Sequence, residues 1–179
     1  MAEFKPHGTR LLSLPLEELK SDDLLSALDL WRSWCGGRDA PVWGDVNLSA
    51  FPPKLLPLAT VVDVIDGGKD FKYRYWGSEL SRLFKREETG LLLSEHVVNQ
   101  SGHIRFSQFW EVVVQVRPLL FMTIFERIEG VMAEKINLRL PVVDDTGAVD
   151  KIISLSSMDR IGMQDFEDLS DHWQAEVAG

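Results

Sequence analysis

Cys35 is the only thiol in the chain, so neither an internal disulfide nor a multi-thiolate metal or redox centre can form from it. His96 and His103 stand seven positions apart (103 − 96), not the four that put two imidazoles on one helical face, and no His-Glu-x-x-His spacing occurs. No metal site is expected. His103, beside Ser101 and Gly102 at the start of a helical run, reads as solvent-facing. A serine hydrolase would need a Gly-x-Ser-x-Gly elbow, which is absent, and Ser154, Ser156 and Ser157 fall on a β-like run where serines serve packing or a ligand. Neither a Gly-x-Gly-x-x-Gly turn nor a phosphate loop is present. Asp63 and Asp66 bracket a strand end, where hairpin polarity accounts for them. Lys85-Arg86-Glu87-Glu88 mixes both signs and reads as a solvated turn. With no acid, base or nucleophile identified, the chain is not expected to be an enzyme. The remaining chemical resource is aromatic: Tyr73, Tyr75, Phe84, Phe106, Phe109 and Trp110 are the candidate lining of a ligand cavity, where tyrosine hydroxyls would orient a small molecule. The same spacing also describes a filled core.

The elements that must position these residues can be read from the pattern. Thr60 to Ile65 and Phe71 to Trp76 are β-rich and flank Asp66-Gly67-Gly68-Lys69-Asp70, in which Asp-Gly supplies the positive φ of a tight hairpin. Alternation of Phe71, Tyr73 and Tyr75 with Lys72 and Arg74 predicts one buried aromatic face. Helical runs follow over Gly77 to Phe84 and from about Ser101 to Arg117, where Pro118 stops the second, and Phe106, Phe109, Trp110 and Val113 form its core stripe. Leu119 to Glu126, Ala133 to Val143 and Lys151 to Met158 are three further strands, the last two joined across Asp144-Asp145-Thr146-Gly147. Upstream, Ser21 caps a helix over Asp22 to Cys35, ended by Gly36-Gly37. Its apolar stripe of Leu24, Leu28, Trp31 and Cys35, widened by Leu25 and Trp34, can face a sheet or a second copy of the chain. Residues 37 to 57 are a Gly- and Pro-rich connector.

The expected class is therefore α+β: a five-stranded antiparallel sheet in the order ββ-helices-βββ, helices on one face, and an extra N-terminal helix. The organisation expected is an N-terminal arm over 1–20, a domain over 21–158 and an acidic tail over 159–179. At 179 residues and 45% hydrophobic, with six tryptophans, one folded domain can bury an adequate core. A net charge of −9 without a dense basic run argues against nucleic acid and anionic membrane as partners. Leu11 to Leu16, broken by Ser13 and Pro15, is too short for a signal or a membrane span, so a cytoplasmic protein is expected.

The wording goes beyond the pattern. Leu30-Trp31, Gly36-Gly37-Arg38 and Pro41, Leu55-Leu56-Pro57 before Val62-Asp63-Val64, Asp66-Gly67-Gly68 before Asp70-Phe71-Lys72-Tyr73-Arg74-Tyr75-Trp76-Gly77, then Thr89-Gly90 and Leu138-Arg139-Leu140-Pro141-Val142 resemble stand-alone PAS-like sensor proteins of alphaproteobacteria over roughly residues 27 to 158. The resemblance implies a PAS fold and a sensor that holds a small molecule or a partner between sheet and helices, without assigning a ligand. A flavin photosensor of this class would carry its reactive cysteine in an Asn-Cys-Arg signature, whereas Cys35 lies in the N-terminal helix. A haem sensor would need His96 or His103 as an axial ligand. The function expected is sensory or regulatory, through small-ligand binding or protein association. The expected partners are a downstream signalling protein and a second copy meeting through Leu24, Leu28, Trp31 and Trp34. The rival reading is a small enzyme with the sheet–helix cavity as its active site.

Overall fold

The computed structural model describes residues 10–96, 100–126 and 132–158; the tail expected over 159–179 lies outside them. Strands β1 (Arg10–Leu14), β2 (Thr60–Ile65), β3 (Asp70–Trp76), β4 (Leu119–Glu126), β5 (Met132–Val143) and β6 (Val149–Ser157) accompany helices α1 (Asp22–Trp34), α2 (Ser78–Phe84) and α3 (Gln100–Gln115). They form an antiparallel sheet in the order β1-β4-β5-β6-β2-β3, and from β2 to β6 the chain follows the ββ-helices-βββ order expected of a PAS-like α+β fold.

The sheet has six strands rather than five. Part of the expected arm, Arg10–Leu14, pairs along β4 with Leu12 opposite Met122, so the outer edge of β4 is covered. The β2–β3 hairpin turns through Asp66 at φ 48° and Gly67 at φ 67°, left-handed positions that Asp and Gly tolerate. One face of the sheet carries α3 and the β3–α3 connection, the other α1.

α1 starts at Ser21, whose hydroxyl accepts from the Leu24 amide at 3.4 Å, with Asp22 and Asp23 in the favourable first turn. Its apolar stripe is occupied by the chain's own sheet. Leu24, Leu28 and Trp31 are 0%, 2% and 3% exposed, and Trp34 packs edge-on against Phe51 at 5.2 Å. The dimer surface expected at Leu24, Leu28, Trp31 and Trp34 is therefore corrected: these side chains close an intramolecular core, and α1 turns Leu25 outward instead.

The Trp31 indole donates to the Pro141 carbonyl at 2.8 Å. That bond explains a proline within an interior strand. Nitrogen and carbonyl of one strand residue point to the same side, and β4 begins opposite Arg139, so Pro141 faces an edge that β4 has already left. Val143 next bonds back to the Pro41 carbonyl at 2.9 Å, so the connector takes over where β4 stops.

Candidate ligand cavity

Alternation along β5 and β6 decides what faces α3. On β5, Lys135, Asn137 and Arg139 point to one side and Ile136, Leu138 and Leu140 to the other; on β6, Ser154 and Ser156 pair with Arg139 and Asn137. Together with Thr60 of β2 and Tyr73 and Trp76 of β3 they floor a cavity of about 70 Å³. Arg105 and Phe109 of α3, Leu80 and Phe84 of α2, and Leu58 complete its walls.

Of the six aromatics expected to line a cavity, Tyr73, Phe84 and Phe109 do so. Tyr75, Phe106 and Trp110 do not. A bulge between Val61 and Val62 leaves Arg74 without an opposite residue, so Tyr73 lies opposite Val62 while Tyr75 lies opposite Val61 on the other face. There the Tyr75 hydroxyl donates to the Leu56 carbonyl at 2.9 Å. The bulge brings Trp76 to the cavity in place of Tyr75. Phe106 stacks edge-on with Phe71 at 5.3 Å, and Trp110, 46% exposed, lies over Gly68 at the hairpin tip.

Ser154 and Ser156 fall where the sequence placed strand serines that serve packing or a ligand, but Lys135, Asn137 and Arg139 were not singled out, because alternating Lys, Asn and Arg on a strand ordinarily mark a solvated face. Here the face is covered. Arg139, 5% exposed, donates from Nε and Nη2 to the Gln108 side-chain oxygen at 3.2 and 2.6 Å and from Nη1 to Ser154 at 2.7 Å; its guanidinium lies 4.3 Å over the Phe109 ring. Ser156 donates to Asn137 at 2.8 Å. Arg105 Nη1 donates to the Tyr73 hydroxyl at 3.0 Å. Behind Arg105 sits Glu88, 4% exposed, at 3.7 Å from Arg105 and from Arg86. The solvated turn expected at Lys85-Arg86-Glu87-Glu88 thus ends one residue early: the chain turns left-handed at Lys85 (φ 51°) and carries Glu88 inward.

Two donors on residues that line the cavity have no acceptor, Trp76 Nε1 and Arg105 Nε, and one carboxylate oxygen of Glu88 has no donor. Asp63 lies on the opposite face, bonded to Arg74 at 2.8 Å. Cys35 caps α1, its thiol pushed up by burial, and is not part of the cavity. His103 is exposed on α3, and the His96 side chain lies outside the described set. Among the described residues no cluster of His, Cys, Asp and Glu could hold a metal ion.

The cavity's charges repel one another. Burial, then the charges of Arg139 and Arg105, pull Lys135 down to about 8. Burial, with repulsion from Arg105, pulls Arg139 to about 10, still protonated at neutral pH. Burial raises the Tyr73 phenol, keeping it neutral. Because Lys135 falls below its unfolded value of 10.5, the unfolded chain binds the extra proton between pH 8 and 10.5, and stability attributable to this group rises with pH across that window. Unfolding free energies from urea titration are expected to gain about 2 kcal/mol between pH 8 and 10 relative to Lys135→Met. Parallel curves for the two proteins would show that Lys135 titrates normally.

No family model matches the chain, and no curated protein does. Solved structures match at low identity. An RNA-binding light-oxygen-voltage receptor aligns with 95% of this chain over 44% of its own, at 16% identity and a TM-score of 0.47. The light-state structure of the blue-light photoreceptor Aureochrome1 LOV aligns with 67% of this chain and 92% of its own, at 9% identity and 0.38. A fungal LOV domain photoreceptor aligns over 64% and 81%, at 11% and 0.39. The chain spans less than half of the first of these. Likeness at this level leaves ligand and activity to be argued from the chain's own residues. No described helix is long and apolar enough to cross a membrane.

Proposed function

We propose that the chain is a PAS-type sensory domain, of the stand-alone kind its sequence resembles, that holds a small molecule between sheet and α3 and passes its occupancy to another cytoplasmic protein by association. One observation carries the reading: the interface of sheet and α3 holds a cavity of about 70 Å³, and two of the residues that line it, Trp76 and Arg105, keep a buried N–H donor without a partner. In a core filled for stability alone, the great majority of buried polar groups find partners. A ligand that supplies acceptors would remove that cost and bind the folded state selectively, which is what a sensor requires.

Native mass spectrometry of the purified chain, compared with its denatured mass and its absorption spectrum, tests this. A copurifying molecule lost on denaturation is expected. A clean apo mass, together with no thermal shift from a broad metabolite panel, would overturn ligand sensing and leave protein association as the function. The enzyme reading has one observation in its favour, the lowered pKa of Lys135 in the cavity, but no carboxylate or imidazole lines the described wall to act with it.

A further inference from the structure

The cavity also specifies the charge of its occupant. Every charged side chain among its described lining is cationic: Arg105, Lys135 and Arg139. The nearest described carboxylate, Glu88, stands behind Arg105 at 3.7 Å, beyond hydrogen-bond range, and one of its oxygens has no partner. Each nitrogen of Arg139 makes a hydrogen bond, to Gln108 or Ser154, so it sets the field without needing a ligand. Arg105 keeps one unpartnered donor: Nη1 donates to Tyr73 and is ion-paired with Glu88 at 3.7 Å, while Nε has no partner. Trp76, 6% exposed and wedged edge-on against Tyr73 at 4.9 Å, also keeps a bare indole N–H. An indole or arginine N–H can only donate, so the missing group must accept, and three cations favour an acceptor that is negative.

The apolar part of the lining narrows the class further. Leu58, Leu80 and Phe84 bring hydrocarbon side chains to the cavity, Phe84 beside Trp76 at 5.8 Å. A bare inorganic ion would leave these side chains without contacts. A volume of about 70 Å³ admits roughly five water-sized groups, which matches the size of a two- to four-carbon acid. Resting on the sensor reading above, we propose that the cavity is a receptor site for a short-chain carboxylate, its carboxyl group accepting from Arg105 and Trp76 beside Lys135 and its carbon chain against Leu58, Leu80 and Phe84.

Thermal unfolding of the full chain at neutral pH, titrated with pyruvate, butyrate or inorganic phosphate against chloride at matched ionic strength, tests the assignment. A saturable rise in Tm with pyruvate or butyrate beyond the chloride control is expected. In Lys135→Met, which removes a confined charge and should itself fold, the half-saturating concentration should rise at least tenfold. Trp76→Phe, which keeps the ring and loses the donor, should weaken binding in the same sense. A shift with phosphate alone, or carboxylate shifts that Lys135→Met and Trp76→Phe leave untouched, would overturn the assignment. No shift with any of the anions, combined with a neutral or larger molecule in the native mass spectrum, would overturn it while leaving the sensor reading intact.

Discussion

Replacing Trp31 by glutamate is expected to unfold the protein rather than to dissociate a dimer. The indole is 3% exposed, and its N–H holds the Pro141 carbonyl at the point where β4 leaves β5. Truncating a buried aromatic costs about 3–5 kcal/mol, and an unpaired carboxylate left in the same site adds to that. Against a total stability of about 5–15 kcal/mol, this change takes most of what a domain of this size has. Far-UV circular dichroism with urea titration should show little or no cooperative transition for Trp31→Glu. Leu25→Glu, on the outward side of the same helix, should leave the midpoint nearly unchanged and is the variant with which to probe association. A folded Trp31→Glu protein with a wild-type midpoint would mean that α1 does not pack as described.

Gly77→Ala is the second large effect, and its cause is space rather than backbone freedom. Gly77 has φ −64°, a value open to any residue. A methyl group there would overlap the Pro57 carbonyl and come within 2.8 Å of the Leu56 carbonyl oxygen. Both obstacles are backbone, held by the Gly77 amide bond to the Ala59 carbonyl at 2.9 Å, so neither can rotate away. A cost of about 3 kcal/mol is expected, at the upper end of overpacking penalties and increased by the loss of a good helix N-cap at the start of α2. Gly44→Ala, where an added methyl meets nothing within 4 Å, is the control and should be close to neutral. Because Trp76 precedes Gly77 and Leu80 follows, the same variant should also weaken any ligand held in the cavity; a wild-type urea midpoint for Gly77→Ala would refute the packing argument.

The two substitutions mark what could and could not be read from residues alone. Gly77 was legible as the exit of the strongest hairpin, and β2 to β6 fall within a few residues of their expected bounds, since β-rich runs between Gly, Pro and Asp punctuation leave little choice. The stripe of α1 was legible too, but not its partner, because an apolar helix face looks the same whether it meets a sheet or another subunit. Tyr75 was placed on the wrong face because strict alternation cannot anticipate a bulge, and the one at Val61/Val62 reverses every later side chain of β3. β1 carried no period that would predict pairing. Its sequence, Arg-Leu-Leu-Ser-Leu, becomes a strand only because the edge of β4 is there to receive it. Lys135 and Arg139 were passed over, and Glu88 was read as part of a solvated turn, for one shared reason: charged residues are solvated unless something covers them, and the cover, α3 with its preceding turn, is a tertiary fact.

The pairing of β1 with β4 also dictates an order of events. Leu14 and its partner Leu120 are 106 positions apart (120 − 14), whereas the β2–β3 turn closes over the few residues between Ile65 and Asp70. Closing the long loop costs roughly 3 kcal/mol more chain entropy than closing the short one, so the hairpin assembles early and the outer strand docks late. The strand that seals the sheet is thus the last part of it to be made and the first to come undone, which makes Arg10–Leu14 the segment where the protein's lifetime, as distinct from its equilibrium stability, is decided.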